Sequence, residues 1–324
     1  MARLHVLDSD PRTAAIWRLG RGAAMLGLVA LVVTLVLAPE HALTSLWYVA
    51  VPLLPASFFI SPALWRGVCP LSTLNAWGNR LGPARELSAR EAALAGAGGL
   101  ALFHLMVPAR HLGLNTDGPL LAGTLVAVGA LALLAGARFT SRSAFCNALC
   151  PVLPVERLYG QSPLVPITRG RCDTCSVCTP RGCLDLADDK SMRQVIGPAR
   201  NRVEWLRTPF GCFAAALPGF IVGYGLTPDL PAAEWMRVYG ATLGGSSISY
   251  VVVRTLVLAA GVAPMRAVTA CAGLSGALYY WYTAPVIVRS FALAPAVTPA
   301  IRWLAIAAAT LWTVRTLKSE SARA

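Results

Sequence analysis

Eight blocks of apolar residues dominate this chain, and most are close to the length a helix needs to cross a bilayer. They are Ala23–Ala38, Leu43–Ile60, Ala92–Val107, Leu120–Ala137, Pro209–Leu226, Val238–Gly261, Ala267–Val288 and Thr298–Val314. A hydrocarbon core takes about 20 helical residues, so Ala23–Ala38 and Ala92–Val107 are marginal on their own. Composition points the same way. Of the 324 residues, 56% are hydrophobic and 13% charged, against roughly 25% charged in a soluble globular domain. The expected fold class is an all-α polytopic membrane protein with about eight transmembrane helices. Three regions follow: 1–137 with the first helical hairpins, 138–208 as a long polar loop region, and 209–324 with the C-terminal transmembrane helices.

Local signals mark several helix ends. Ser88-Ala89-Arg90-Glu91 has the spacing of a capping box, in which the first and last side chains satisfy each other's backbone N–H groups. Thr208-Pro209 pairs an N-cap with proline at the first helical position. Pro39 and Pro108 are expected to close their segments. Arg254 lies well inside an apolar block, so that block has the least certain ends, and snorkelling to an interface is its simplest reading. The first block follows a long basic leader and reads as a retained helix rather than a cleaved signal peptide.

The net charge of +13 is distributed by topology. Arginines and lysines gather at the N-terminus, between the second and third blocks, between the fourth and fifth, and at the C-terminus. All four clusters fall on one side of a membrane if both termini and the long loop face the cytoplasm, as positive-inside charge bias requires. The expected location is a bacterial inner membrane, crossed several times. Stacking aromatics in a basic groove, which single-stranded nucleic acid would need, do not occur, and no nucleic-acid partner is expected.

Nine cysteines are present, and seven fall in polar loops: Cys69, Cys146, Cys150, Cys172, Cys175, Cys178 and Cys183. Two stretches look like copies of one unit. Trp65-Arg66-Gly67-Val68-Cys69-Pro70 is followed by Trp77-Gly78, and Cys146-Asn147-Ala148-Leu149-Cys150-Pro151 by Tyr159-Gly160. Each follows a helical hairpin, so a parallel duplication is expected. Proline after cysteine stops a helix and leaves the sulfur at a turn. Cys146 and Cys150, four apart, would share a face if that stretch were helical.

The run Cys172-Asp173-Thr174-Cys175-Ser176-Val177-Cys178-Thr179-Pro180-Arg181-Gly182-Cys183 carries the most specific chemistry. Thiolates at successive three-residue steps let one short loop wrap three corners of a cuboidal iron–sulfur cluster, and a fourth ligand must follow. Cys183 stands one residue later than in the bacterial ferredoxin pattern, with Leu184 in place of proline. Zinc is the rival reading, although structural zinc usually takes two separated cysteine pairs; free redox thiols are a third. One 4Fe–4S cluster is expected. A second would leave Cys69, Cys146 and Cys150 one ligand short, unless Cys183 serves that site or a partner completes it.

This order of hairpins, Cys-x3-Cys-Pro element and ferredoxin loop resembles the membrane-bound iron–sulfur proteins of the NapH/NosR/CcoG type over about residues 20–190. Two departures are plain: Trp65 stands where a leading cysteine would be, and only one ferredoxin loop is present. The resemblance implies electron exchange between the quinone pool and a redox partner; separately, the basic loop suits an acidic soluble carrier such as ferredoxin or flavodoxin, relaying electrons to the quinone pool or a larger membrane complex. Two rival functions remain: an assembly factor supplying electrons for cofactor insertion elsewhere, and a zinc-stabilised or redox-sensing membrane scaffold. Cys212 and Cys271, inside apolar blocks, read as small packing residues. His41, His104 and His111 read as interface histidines, and Asp185, Asp188 and Asp189 as a solvated turn.

Overall fold

The computed structural model describes residues 11–82, 85–140, 144–165, 196 and 203–321. Among these the chain is helical and has no strand. Seven helices are long and apolar enough to cross a membrane: Ala15–Leu37, Pro39–Ile60, Ala89–Leu112, Gly118–Arg138, Pro209–Leu226, Ala232–Ala260 and Pro295–Ser319. The chain is therefore an all-α polytopic membrane protein. The two marginal blocks gain length because their helices run on into flanking sequence, upstream for the first and at both ends for the second, giving spans of 23 and 24 residues.

The helices are, in order, α1 (Pro11–Leu37), α2 (Pro39–Ile60, with a π-helical stretch at Ser45–Ala50), α3 (Pro62–Val68), α4 (Pro70–Gly78), α5 (Ala89–Ala109) and α6 (Gly118–Arg138). They continue with α7 (Leu153–Tyr159), α8 (Pro209–Leu226), α9 (Trp235–Ala260), α10 (Pro264–Ser290) and α11 (Thr298–Ser321). The eighth apolar block, Ala267–Val288, lies on α10, which has 27 residues but is not apolar enough to count among the seven. Its Val268, Thr269, Ala272 and Ser275 are fully buried. A helix sheathed by protein can carry hydroxyls that a lipid-facing one could not keep cheaply.

The predicted caps form. Ser88 N–H donates to Glu91 Oε2 at 3.0 Å, and Glu91 N–H donates to Ser88 Oγ at 3.3 Å. Thr208 Oγ1 accepts from Gly211 N–H at 3.0 Å. Leu37 ends α1 just before Pro39, which opens α2. Pro108 does not stop α5, which runs one residue further to Ala109 and then tightens into a 3-10 turn at Arg110–Leu112. Proline so close to a helix end disturbs little of the hydrogen-bond ladder.

The chain divides into two compact units. The first comprises Met1–Leu43, Ala56–Phe103 and Thr116–Ser191; the second comprises Thr44–Pro55, His104–Asn115 and Met192–Ala324. In the first, the short helix α4 lies along the last turns of α6. Asn75 is completely buried and donates from Nδ2 to Ala132 O at 2.8 Å, and Asn79 Nδ2 donates to Gly136 O at 2.8 Å. The backbones meet so closely that a Cβ on Gly136 would sit 1.9 Å from Asn75 O. In the second unit α8 packs on α9 through the same device, with Gly219 against the backbone of Gly245. Small residues permit this approach where lipid offers no hydrophobic drive for helices to associate.

Gly136→Ala is expected to destabilise the protein by about 1–3 kcal/mol through overpacking. Gly123→Ala, on the same helix but with open space at its Cβ, should be close to neutral. Thermal unfolding in detergent micelles checks the pair, and equal melting temperatures would contradict the packing.

Candidate metal centre

The two Cys-Pro elements have nearly the same backbone. Cys69 follows α3 with φ −53° and ψ 124°, and Cys150 has φ −60° and ψ 122°. In each, the cysteine N–H closes the preceding helical turn, Cys69 onto Trp65 O and Cys150 onto Phe145 O, both at 2.8 Å. In each, proline follows at once, its fixed φ starting the next piece of chain in a new direction. The turn before Cys150 is not an α-helix but a π-helical stretch, Phe145–Leu149. Its wider winding alters the one-face relation expected for Cys146 and Cys150 in an α-helix.

The elements are exchanged between hairpins. The helix after the first turn, α4, packs on α6 of the second hairpin, and Arg85 N–H bonds to Arg138 O at 3.3 Å. The helix after the second turn, α7, packs back on the end of α2: Tyr159 stacks on Phe59 with ring centroids 4.6 Å apart, and Leu164 N–H bonds to Phe59 O at 2.9 Å. Each turn thus lies against the other copy's scaffold.

Between them is a buried ion pair. Arg66 on α3 donates from Nε to Glu156 Oε1 on α7 at 2.5 Å, and both side chains are only 6% exposed. Burying two charges is favourable only when they face each other with good geometry. The pair fixes α3, and so Cys69, against α7, which follows Cys150. The Cys150 thiol is pushed up to about 12, chiefly by burial, then by the neighbouring Cys69, with a smaller contribution from Glu156. The N–H groups of Val152 and Leu153 act in the opposite direction. Bound metal would reverse this, because a coordinating thiol gives up its proton outright.

Cys69, Cys146 and Cys150 are half-buried and form no disulfide. Among the described residues no three His, Cys, Asp or Glu side chains come together closely enough to hold a metal ion. These three cysteines therefore make no centre by themselves. Cys172, Cys175, Cys178 and Cys183, the expected core of the site, lie outside the described residues. Thiols are the soft donors that iron–sulfur clusters and zinc take, so the chemistry of the turns suits a metal completed by other ligands.

The remaining candidates separate. Cys271 is buried on α10, whereas Cys212 is exposed on α8, so the packing role fits only the first. His41 is exposed. His104 meets Phe213 and Phe220 edge-on, with centroids 6.1 and 5.3 Å away. Arg254 is exposed on α9. Sequence reading missed the Arg66–Glu156 pair, although an arginine three residues before one Cys-Pro and a glutamate soon after the other were signals in hand. Fold and site together define a polytopic helical membrane protein with two interlocked cysteine turns. The chain matches no family model, no curated protein and no solved structure.

A thiol raised from 9.0 to about 12 holds its proton at neutral pH and exposes roughly a thousandfold less thiolate than an unperturbed one. In iron-free protein at pH 8, Cys150 should resist iodoacetamide, and its labelling should rise only as pH approaches 12. Peptide mass spectrometry checks this; labelling at the rate of a free thiol would contradict it.

Proposed function

We propose that this chain is an electron-transfer protein of a bacterial inner membrane, holding a 4Fe–4S cluster on the cytoplasmic side. The observation that carries the reading is the tight thiol run Cys172, Cys175, Cys178 and Cys183 in a chain whose two Cys-Pro turns, bearing Cys69 and Cys150, are locked together by a buried ion pair. One-electron transfer is the chemistry that a cluster held by Cys172, Cys175 and Cys178 supplies, with Cys183 or a cysteine of the turns as the fourth ligand. A second cluster would draw on Cys69, Cys146 and Cys150 with one ligand from elsewhere.

Charge supports the orientation. The loop between α6 and α8 carries more arginines than any other, and positive-inside bias favours the cytoplasm for it together with both termini. The same arginines suit an acidic soluble carrier of the ferredoxin or flavodoxin kind, by electrostatic complementarity. On the membrane side the exchange is with the quinone pool or with a larger membrane complex.

Protein purified without oxygen is expected to contain about four iron and four sulfide per chain for one cluster, and about twice that for two. Cys175→Ser should lose at least one cluster's worth of iron, while Cys271→Ser should keep it. Zinc in place of iron, or unchanged iron in Cys175→Ser, would contradict the proposal.

A further inference from the structure

Helices α10 and α11 form a hairpin in the second unit, and the end at their turn carries a cation that the cysteine chemistry does not use. Arg302 lies in the second turn of α11 and reaches across to α10. Its Nε donates to Trp281 O at 3.0 Å, and its guanidinium carbon lies 4.5 Å from the centre of the Trp281 ring. One residue thus grips the guanidinium twice, by a carbonyl and by a ring face. Trp303 meets Trp281 edge-on, with centroids 6.3 Å apart.

That grip leaves most of the group unused. An arginine has five N–H donors, always charged, and Nε carries one. The two Nη groups have no hydrogen-bond partner among the described residues, yet they are open to the surface. No carboxylate meets them: Asp and Glu do not occur from Pro264 to Ser319, and among the described residues no ion pair includes Arg302. An arginine inside a span is costly without a partner. Topology does not account for it, because Arg315 and Lys318 serve the charge bias at the opposite end of α11. The surroundings are apolar and open. Trp303 and Leu304 are exposed beside it, and so are Phe291 and Leu293 in the turn, which marks this end of the hairpin as resting in the membrane interface. The span here begins at Pro295, so Arg302 is about 10 Å along the axis from its end, within snorkelling reach of the headgroups.

We infer that Arg302 binds the phosphate of an anionic glycerophospholipid, its Nη groups donating to the phosphate oxygens while the glycerol and first acyl carbons lie over Trp303 and Leu304. Three features select that ligand. A planar fork of N–H donors matches phosphate geometry and can bond it bidentately. The exposed apolar side chains beside the fork suit an acyl chain, which a free phosphate lacks. A headgroup with its own ammonium would find no carboxylate on this hairpin, so a headgroup of net negative charge fits better. Because Trp281 already fixes the arginine, little side-chain freedom is left to lose on binding. The site involves no cysteine, so it stands or falls apart from the electron-transfer reading.

The test is native mass spectrometry of the full chain, delipidated in detergent and titrated with phosphatidylglycerol or phosphatidylcholine, with and without an excess of inorganic phosphate. One phosphatidylglycerol is expected to bind more tightly than phosphatidylcholine and to persist in the phosphate. Arg302→Gln should weaken it about tenfold, the size of a lost hydrogen-bonding charge. Arg289→Gln is the control. That arginine is exposed near the same turn, with only a 3.4 Å contact to Pro285 O of its own helix, and its loss should leave the tight site unchanged. Arg302→Lys, which keeps the charge without the fork, serves if Arg302→Gln fails to fold, and should weaken binding severalfold. Unchanged binding in either Arg302 variant, equal losses in Arg289→Gln and Arg302→Gln, no preference for phosphatidylglycerol, or displacement by inorganic phosphate overturns the inference.

Discussion

A buried ion pair, Arg66 with Glu156, is the contact on which the cysteine-bearing part of the molecule depends. It joins two short helices that adjoin different Cys-Pro turns, at a depth where water screens neither charge. Removing one partner of such a pair leaves a charge buried alone and costs about 3–5 kcal/mol, a large share of a typical domain's stability. The exchange of α4 and α7 between hairpins adds many contacts around it. The ion pair links α3 to α7 through charge, and so makes the position of Cys69 depend on the chain beyond Cys150.

This arrangement explains why a membrane chain keeps costly polar groups near its cysteines. The turns must be irregular so that sulfur points out of the helical ladder, and irregular backbone needs partners. Asn75 and Asn79 satisfy carbonyls at the end of α6, while backbone bonds from Arg85 and Leu164 tie the segments that follow α4 and α7 to the ends of α6 and α2. The result is a pair of turns whose following segments are tied to helix ends by hydrogen bonds.

What the sequence disclosed was local. Spans were legible because lipid demands long apolar runs, and the Ser88–Glu91 and Thr208 caps because capping is decided within four residues. Helix lengths were underestimated for α1, whose first turns are polar, and for α5, which runs past its apolar block at both ends. α10 was read as a span like its neighbours, yet its buried face is made of small and hydroxyl residues. The π-helical stretch before Cys150 has no sequence signature that a four-residue spacing could reveal. Pairing across the fold was not legible at all: Arg66 and Glu156 are 90 positions apart, and His111 and Asp229 are 118 apart. His111 therefore looked ordinary until the fold supplied its carboxylate.

The central claim is that the two Cys-Pro turns form one clamped support, which the proposed cluster requires. Iron per chain after oxygen-free purification tests it most directly, compared among the natural sequence, Glu156→Ala, and a double variant Arg66→Met/Glu156→Leu that fills the same space without charge. The account predicts that Glu156→Ala, with its stranded guanidinium, loses most of its iron while the double variant retains it. Full iron in Glu156→Ala, or loss in the double variant while it remains as stably folded as the natural protein, would contradict it.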